Sequence, residues 1–302
     1  MATQTRAGRY ASIAVAAALG IAALTPGSVG RDVHAQAGKR EAVKSLRLYV
    51  FDLGDIPVSD GRMFDPPIQV AKGGCCVIVG HLIVHPKGTL IWDTGVVPDA
   101  LIGSGKPGTN FYAGKPLRAK LAEVGYRPED VTYLAFSHYH FDHTANANMF
   151  KTSTWIVQEA ERNAMLAAIG GTKLPGGSQP TPDHYNELKT SKAIVLANMD
   201  QYDVFGDGSV VVMPAPGHTA GQQVLVLNLP KTGKVMLAGD LYHFREERER
   251  QVLPATLEYD KEASRQSRVK IEDYIKRNNI PMWIEHDSRL YATLKKAPNY
   301  IE

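Results

Sequence analysis

In Ser137-His138-Tyr139-His140-Phe141-Asp142-His143, four residues able to bind a metal fall within six positions, directly after the apolar run Val131–Phe136. Neutral imidazole and carboxylate are the donors that borderline first-row cations such as zinc take. A strand ending in such a cluster directs its rings and carboxylate into one small volume. His138 and His140 alternate around Tyr139, whereas Asp142 and His143 are adjacent. In a loop, that spacing lets two imidazoles address one cation and the Asp–His pair a second. A histidine-rich surface loop would leave other ligand-type residues scattered. Instead, His218 sits in Pro216-Gly217-His218-Thr219-Ala220-Gly221, Asp240 follows the apolar run Lys234–Leu237, and His286 follows Trp283-Ile284-Glu285. The pattern predicts a metal-dependent hydrolase.

The elements that must position these residues are legible from apolar periodicity. Strands are expected at Leu46–Leu53, Cys75–Val84 and Thr89–Trp92, the last two divided by the turn Pro86-Lys87-Gly88. Further strands are expected at Val131–Phe136, Ala193–Leu196, Ser209–Met213, Gln222–Asn228, Lys234–Leu237 and Pro281–Ile284. Helices are expected at Pro116–Val124, Gln158–Ile169 and Lys261–Arg277. Gly171–Pro182, rich in Gly, Pro, Ser and Thr, reads as a mobile surface loop. No linker divides the chain, and the loose alternation predicts an α/β fold with helices layered over sheets.

The N-terminus reads as a cleaved signal peptide over residues 1–37. Arg6 and Arg9 precede the apolar stretch Ala11–Leu24, and Ala35-Gln36-Ala37 supplies an A-x-A cleavage signal. That stretch is short for a membrane span, which needs about 20 residues, so no stable membrane insertion is expected. Removing 37 of 302 residues leaves 265, residues 38–302, enough for one domain with a real core. The expected destination is the periplasm or the exterior. The whole chain carries a net charge of only +3 and no long basic run, which argues against nucleic acid as a partner. Arg245-Glu246-Glu247-Arg248-Glu249-Arg250 mixes signs and reads as a solvated face. The adjacent Cys75 and Cys76 read as two buried thiols, not a disulfide. Among the other histidines, His81 and His85 read as structural or surface residues. His184 reads as solvated, and His243 as a functional candidate because it lies three residues past Asp240.

The HxHxDH cluster, the Gly-His-Thr-x-Gly turn, the strand-ending Gly239-Asp240, the late His286 and the early Asp93-Thr94-Gly95 together resemble the metallo-β-lactamase superfamily. The resemblance runs from Leu46 to the C-terminus. It implies an αββα sandwich, two mixed β-sheets flanked by helices with metals at one edge, and two divalent ions. Carried over by position, His138, His140 and His218 hold the first ion. Asp142, His143 and His286 hold the second, Asp240 bridges them, and Asp93 supports the ligand loop from behind. Zinc is the expected metal, with cobalt, manganese and iron compatible.

Two such cations about 3.5–4 Å apart lower the pKa of a shared water, giving a bridging hydroxide that can attack a polarised carbonyl. Asp240 is then placed to carry a proton to the leaving oxygen. The ligands alone do not choose among lactones, esters, thioesters, amides and phosphoesters. Asp240 argues against a serine penicillinase and against most zinc β-lactamases, and His140 against the flavo-diiron branch.

The chain most resembles the N-acyl-homoserine lactonases. Leu48–Gly54 resembles their opening strand, Ser-His-x-His-Phe-Asp-His their cluster, the 22-residue step from His218 to Asp240 their spacing, and His286-Asp287 with Leu294–Pro298 their C-terminus. The resemblance implies opening of acyl-homoserine lactones, with Asp240, Asp142 and His243 carrying the chemistry. Phe141, Tyr242 and His243 would lie beside the substrate. Many of these lactonases place a tyrosine where this chain has His243, and a neutral imidazole titrating near pH 6–7 is expected to take over its hydrogen bond. Met63, Phe64, Phe111 and Tyr112 are candidates for the acyl-tail pocket. The alternatives are a broader esterase, arylesterase or phosphotriesterase of the same fold, and a metal-binding protein without turnover. The expected partner is a small lactone or ester, and the resemblance allows a homodimer.

Overall fold

Val77–His85 is buried along its whole length, and its alternate residues enter two different cores. Ile78, Leu82 and Val84 pack into one cluster; Val77, Val79 and Ile83 pack into another. Successive side chains of a strand point to opposite faces, so this strand belongs to a sheet covered on both sides. The protein is described here by a computed structural model covering residues 43–56, 62, 64–65, 67, 76–103, 114–176 and 179–302. These residues belong to one compact unit.

In chain order the strands are β1 (Arg47–Asp55), β2 (Phe64–Asp65), β3 (Val77–His85), β4 (Gly88–Trp92), β5 (Tyr133–Ala135), β6 (Thr154–Gln158) and β7 (Ala193–Leu196). The second half adds β8 (Tyr202–Asp203), β9 (Val210–Pro214), β10 (Gln223–Leu229), β11 (Gly233–Leu237), β12 (Leu253–Pro254) and β13 (Met282–Trp283). The helices are α1 (Leu117–Glu123), α2 (Phe141–Thr144), α3 (Glu159–Ile169), α4 (Arg245–Arg250), α5 (Lys261–Asn278) and α6 (Ser288–Thr293).

One sheet has the order β1-β3-β4-β5-β6-β7 and the other β13-β11-β10-β9-β8. Both are mixed: β1, β3 and β4 are antiparallel, β4 to β7 parallel, and β13 runs parallel to β11 in an otherwise antiparallel sheet. Between the sheets lie Leu48, Val50 and Trp92 from the first and Val212, Leu225 and Leu237 from the second. The outer face of the first sheet is covered by Leu117 and Leu121 of α1 and Met165 of α3; that of the second, by Ile271 and Ile275 of α5. Two mixed sheets between helices are the fold expected from the motifs. α5 starts where Asp260 accepts from the amides of Glu262 (2.9 Å) and Ala263 (3.0 Å), and stops at Asn279 in the left-handed region.

Two expectations change. β6 occupies Thr154–Gln158, a strand the periodicity does not separate from the helix that follows it. Arg245–Arg250 forms helix α4, exposed at Arg245, Glu249 and Arg250 as a solvated face is, but its Glu247 is fully buried against Arg268. Cys76 is buried. Cys75, Met63, Phe111, Tyr112, the side chain of Phe64 and the leader residues 1–37 lie outside the described residues. Among the described residues, no helix is long and apolar enough to cross a membrane.

Candidate metal centre

The ligand-type residues all follow the C-terminal ends of strands. β4 leads into Asp93, β5 into His138, β9 into His218, β11 into Asp240 and β13 into His286. A loop bearing several ligands must be held from outside, and carboxylates do so here. Asp93 Oδ1 accepts from the backbone nitrogen of Ser137 at 2.7 Å and from its hydroxyl at 3.2 Å. Thr94 donates to the carbonyl of His143 from its nitrogen (2.7 Å) and its hydroxyl (3.0 Å). Glu161 of α3 accepts from the nitrogens of Tyr139 (2.7 Å) and Gly221 (2.7 Å) and from the Thr219 hydroxyl (2.9 Å), joining the two histidine loops. Gly217 has φ 137°, and a Cβ there would overlap the Ser264 backbone of α5. Only glycine lets the His218 turn approach that helix so closely.

The side chains so held form two groups, His138-His140-His218-Asp240 and Asp142-His143-His286. Nδ1 of His140 lies 2.9 Å from Nε2 of His138 and 3.0 Å from Nε2 of His218. Asp240 divides its oxygens between the groups. Oδ2 stands 3.7 Å from His138 Nε2 and 3.5 Å from His218 Nε2, whereas Oδ1 stands 3.5 Å from His143 Nε2 and 3.0 Å from His286 Nε2. Asp142 Oδ2 is 3.6 Å from both His143 Nε2 and His286 Nε2.

The donor set fits divalent cations. Three ring nitrogens converge at about the separation, roughly 3.3 Å, that tetrahedral bonds of 2.0–2.1 Å impose. Nε2 of His143 is buried without a hydrogen-bond partner, and the short approach of Asp240 Oδ1 to His286 falls outside hydrogen-bond geometry. Burial drives the His138 and His140 rings well below their usual range, and neighbouring imidazoles add to it, so both are in the neutral, ligating form. Burial opposes the charge on Asp240, but the histidines around it, His286 foremost, hold it well below the usual carboxylate range.

The ring nitrogens that face away from the cluster are anchored. Nδ1 of His218 meets Glu258 at 3.1 Å, Nδ1 of His138 meets the Ser137 hydroxyl at 3.0 Å, and Nδ1 of His286 meets the carbonyl of Val77 at 3.1 Å. His143 Nδ1 lies 3.1 Å from the Ser137 hydroxyl, 3.3 Å from Asp93 and 3.5 Å from Glu285. Burial lowers the His143 ring, but Glu285, Asp142, Asp240 and Asp93 outweigh it and raise it well above its usual range. Such partners fix ring orientation and tautomer. Glu161, Glu258 and Glu285 were not singled out from the sequence; each reads there as an ordinary polar residue of a helix or loop.

His243 also joins the site, with Nε2 3.4 Å from Asp240 Oδ2 and its ring 5.0 Å from that of His218. The sequence expectation for this ring is a neutral imidazole titrating near pH 6–7. Burial lowers its pKa, but Glu247 and Asp240 outweigh burial and push it up to about 9. Tyr242, expected beside the substrate, points the other way: its fully buried ring packs among Met213, Met236 and Ile271, and its hydroxyl meets Gln251 at 3.2 Å. Successive residues in extended backbone face opposite sides, so His243 and Tyr242 do not share the site. Phe141 opens α2 and is half-buried at the edge of the core. His184 is not fully solvated; it lies half-buried, with Nδ1 3.5 Å from the Thr144 hydroxyl. His81 and His85 are both buried, His85 bonded to Asp207 at 2.8 Å and stacked on Phe205.

Comparison with known proteins bears on this arrangement. The profile of the metallo-beta-lactamase superfamily matches residues 73–274. The N-acyl homoserine lactonase AttM of Azorhizobium caulinodans is 30% identical over 85% of this chain and 99% of that protein. An N-acyl homoserine lactonase of a Bacillus species is 27% identical over 73% of this chain and 85% of its own length. A solved N-acyl homoserine lactone hydrolase, with N-hexanoyl-L-homoserine at its catalytic metal center, superposes with a TM-score of 0.68 at 22% identity, covering 86% of this chain and all (100%) of that one. The dizinc quorum-quenching lactonase AidC superposes with a TM-score of 0.59 at 18% identity, covering 86% of this chain and 95% of its own.

Proposed function

Because the chain belongs to the metallo-β-lactamase superfamily, we propose that it is a dinuclear hydrolase that opens the lactone ring of N-acyl homoserine lactones. The observation that carries the reading is the division of Asp240, one oxygen toward His138 and His218 and the other toward His143 and His286. A carboxylate so placed would have one oxygen for each of two cations, and the N/O donor set suits zinc. When bound, such a pair supplies water of lowered pKa and Lewis-acid charge for the carbonyl oxygen.

The chain's own residues do the remainder. Asp142 and Asp240 supply the carboxylate oxygens of the donor set; His138 and His140 already offer neutral nitrogen, and His143 would do so once a cation displaces its ring proton. His243 presents Nε2 beside Asp240 Oδ2 at 3.4 Å, where a proton on that nitrogen can be donated to the carbonyl or leaving oxygen of an ester. Because Nδ1 is turned to Glu247, such a donor at Nε2 corresponds to the doubly protonated ring. Phe141, at the start of α2, offers an apolar edge for the acyl amide or tail. Lactone specificity is supported by the AttM likeness, which spans nearly the whole of that protein. Residues 1–37 fit an export leader, and we place the mature enzyme in the periplasm; fractionation of expressing cells tests this.

The deciding experiment is ring opening of short- and long-chain acyl-homoserine lactones by zinc- or cobalt-loaded protein, with Asp240→Asn as control. Opening that is lost in the variant supports the reading. A metal-loaded chain that hydrolyses arylesters or phosphotriesters but leaves lactones intact overturns it in favour of the broader hydrolase.

A further inference from the structure

His243 is held by a buried apparatus that metal binding does not use. Oε2 of Glu247 lies 3.1 Å from its Nδ1 and accepts its backbone N–H at 2.5 Å. The other oxygen of Glu247 takes the guanidinium of Arg268, a residue of α5 only 3% exposed. Arg268 also donates to the carbonyls of Leu241 (2.9 Å) and Val252 (2.5 Å) and covers the Tyr242 ring at 4.3 Å. One arginine thus braces both flanks of the segment carrying His243, together with the carboxylate that grips its ring.

A buried ion pair is a poor device for stability alone, since apolar residues of similar volume often serve as well or better. Here the pair is aimed at one imidazole. Turning the ring over would set a carbon against Glu247 and sacrifice a hydrogen bond to a charged acceptor. We propose that Glu247, held by Arg268, is the positioning residue for His243, fixing its ring so that Nε2 faces Asp240 and the substrate. The proposal rests on the preceding reading only in taking an ester or lactone as what Nε2 meets. Glu247 touches no substrate and acts through His243. α4 sets its one fully buried carboxylate, Glu247, between His243 and Arg268.

The test has two arms. Long-range 15N–1H spectra of the histidine rings in the zinc-loaded full chain read the hydrogen bond directly. We expect a protected Nδ1 proton on His243, moved upfield in Glu247→Gln, where the acceptor is neutral, and lost to water exchange in Glu247→Ala. The other site histidines should keep their resonances. An unchanged His243 signal in a folded variant overturns the proposal, and Glu247→Gln decides alone if the alanine variant does not fold. In the kinetic arm, Glu247→Ala should lower kcat about 10- to 100-fold on whichever lactone or arylester the chain hydrolyses. The same change in a His243→Gln background should cost less than about twofold more. Equal losses in both backgrounds would mean that Glu247 does not act through His243. A chain that hydrolyses no ester refutes the proposed function, while the spectra still decide the role of Glu247.

Discussion

The carboxylate of Glu161 accepts a 2.7 Å hydrogen bond from the backbone nitrogen of Tyr139, the residue between two ligand-type histidines. It receives Thr219 and Gly221 from the other side, so one side chain of α3 sets the distance between the loops of His138/His140 and of His218. We predict that Glu161→Ala weakens metal binding about 10- to 100-fold, as loss of an orienting partner does. Titration against a competing chelator measures this. Undiminished affinity in a folded variant would show that the loops hold their spacing without Glu161.

The same residue makes a pH prediction. Burial pushes the Glu161 carboxyl up to about 7, although the amides of Gly221 and Tyr139 and the Thr219 hydroxyl favour its ionised form. Unfolded, it would ionise near the ordinary glutamate value of 4.5. Between those values the folded chain keeps a proton that the unfolded chain has released, so this contribution to stability falls as pH rises from about 4.5 to about 7. At roughly 1.4 kcal/mol per pH unit, the whole effect is on the order of 3 kcal/mol. Melting curves at about pH 5 and pH 7.5 should therefore differ less for Glu161→Gln than for the natural chain. Equal pH slopes would place the Glu161 pKa near its unfolded value.

The ligand-type residues were legible because each interrupts an apolar run at a strand end, where a polar side chain has no packing reason to be. The residues behind them were not. Glu161 sits in the first turn of α3, where a carboxylate is expected for the helix dipole alone. Glu247 lies in a run of mixed charge, and nothing local shows that Arg268, 21 residues later, reaches back to bury it. β6 was missed because Trp155-Ile156-Val157 runs into α3 with no turn residue between strand and helix. Tyr242 was misplaced because a motif position fixes a residue's neighbourhood, while the direction of its side chain depends on a one-residue phase in extended backbone.

That phase gives a sharp prediction for Tyr242. Its hydroxyl meets Gln251, and its ring lies beneath Arg268 in the core of the second sheet. Tyr242→Phe should lower stability by about 1 kcal/mol, the usual cost of a lost hydrogen bond. Its kcat should stay within about twofold of the natural value, since the side chain has no part in orienting substrate. A loss of turnover beyond tenfold, with the melting temperature unchanged, would put the hydroxyl back in the active site.

Metal removal should be read by stability as well as by activity, because the ligand side chains hold one another in a geometry that the cations would reinforce. Free metal at about 100 times its dissociation constant stabilises the fold by about 2.7 kcal/mol. For a domain of this size, that is a rise in melting temperature of roughly 5–10 °C. Asp240→Asn keeps the size of the side chain but removes the charge that faces both histidine groups. Elemental analysis should find two metal ions in the natural chain and about one or fewer in the variant, with most of the thermal gain lost. Two ions retained by Asp240→Asn, with the full gain, would show that each histidine group holds its cation without the shared carboxylate.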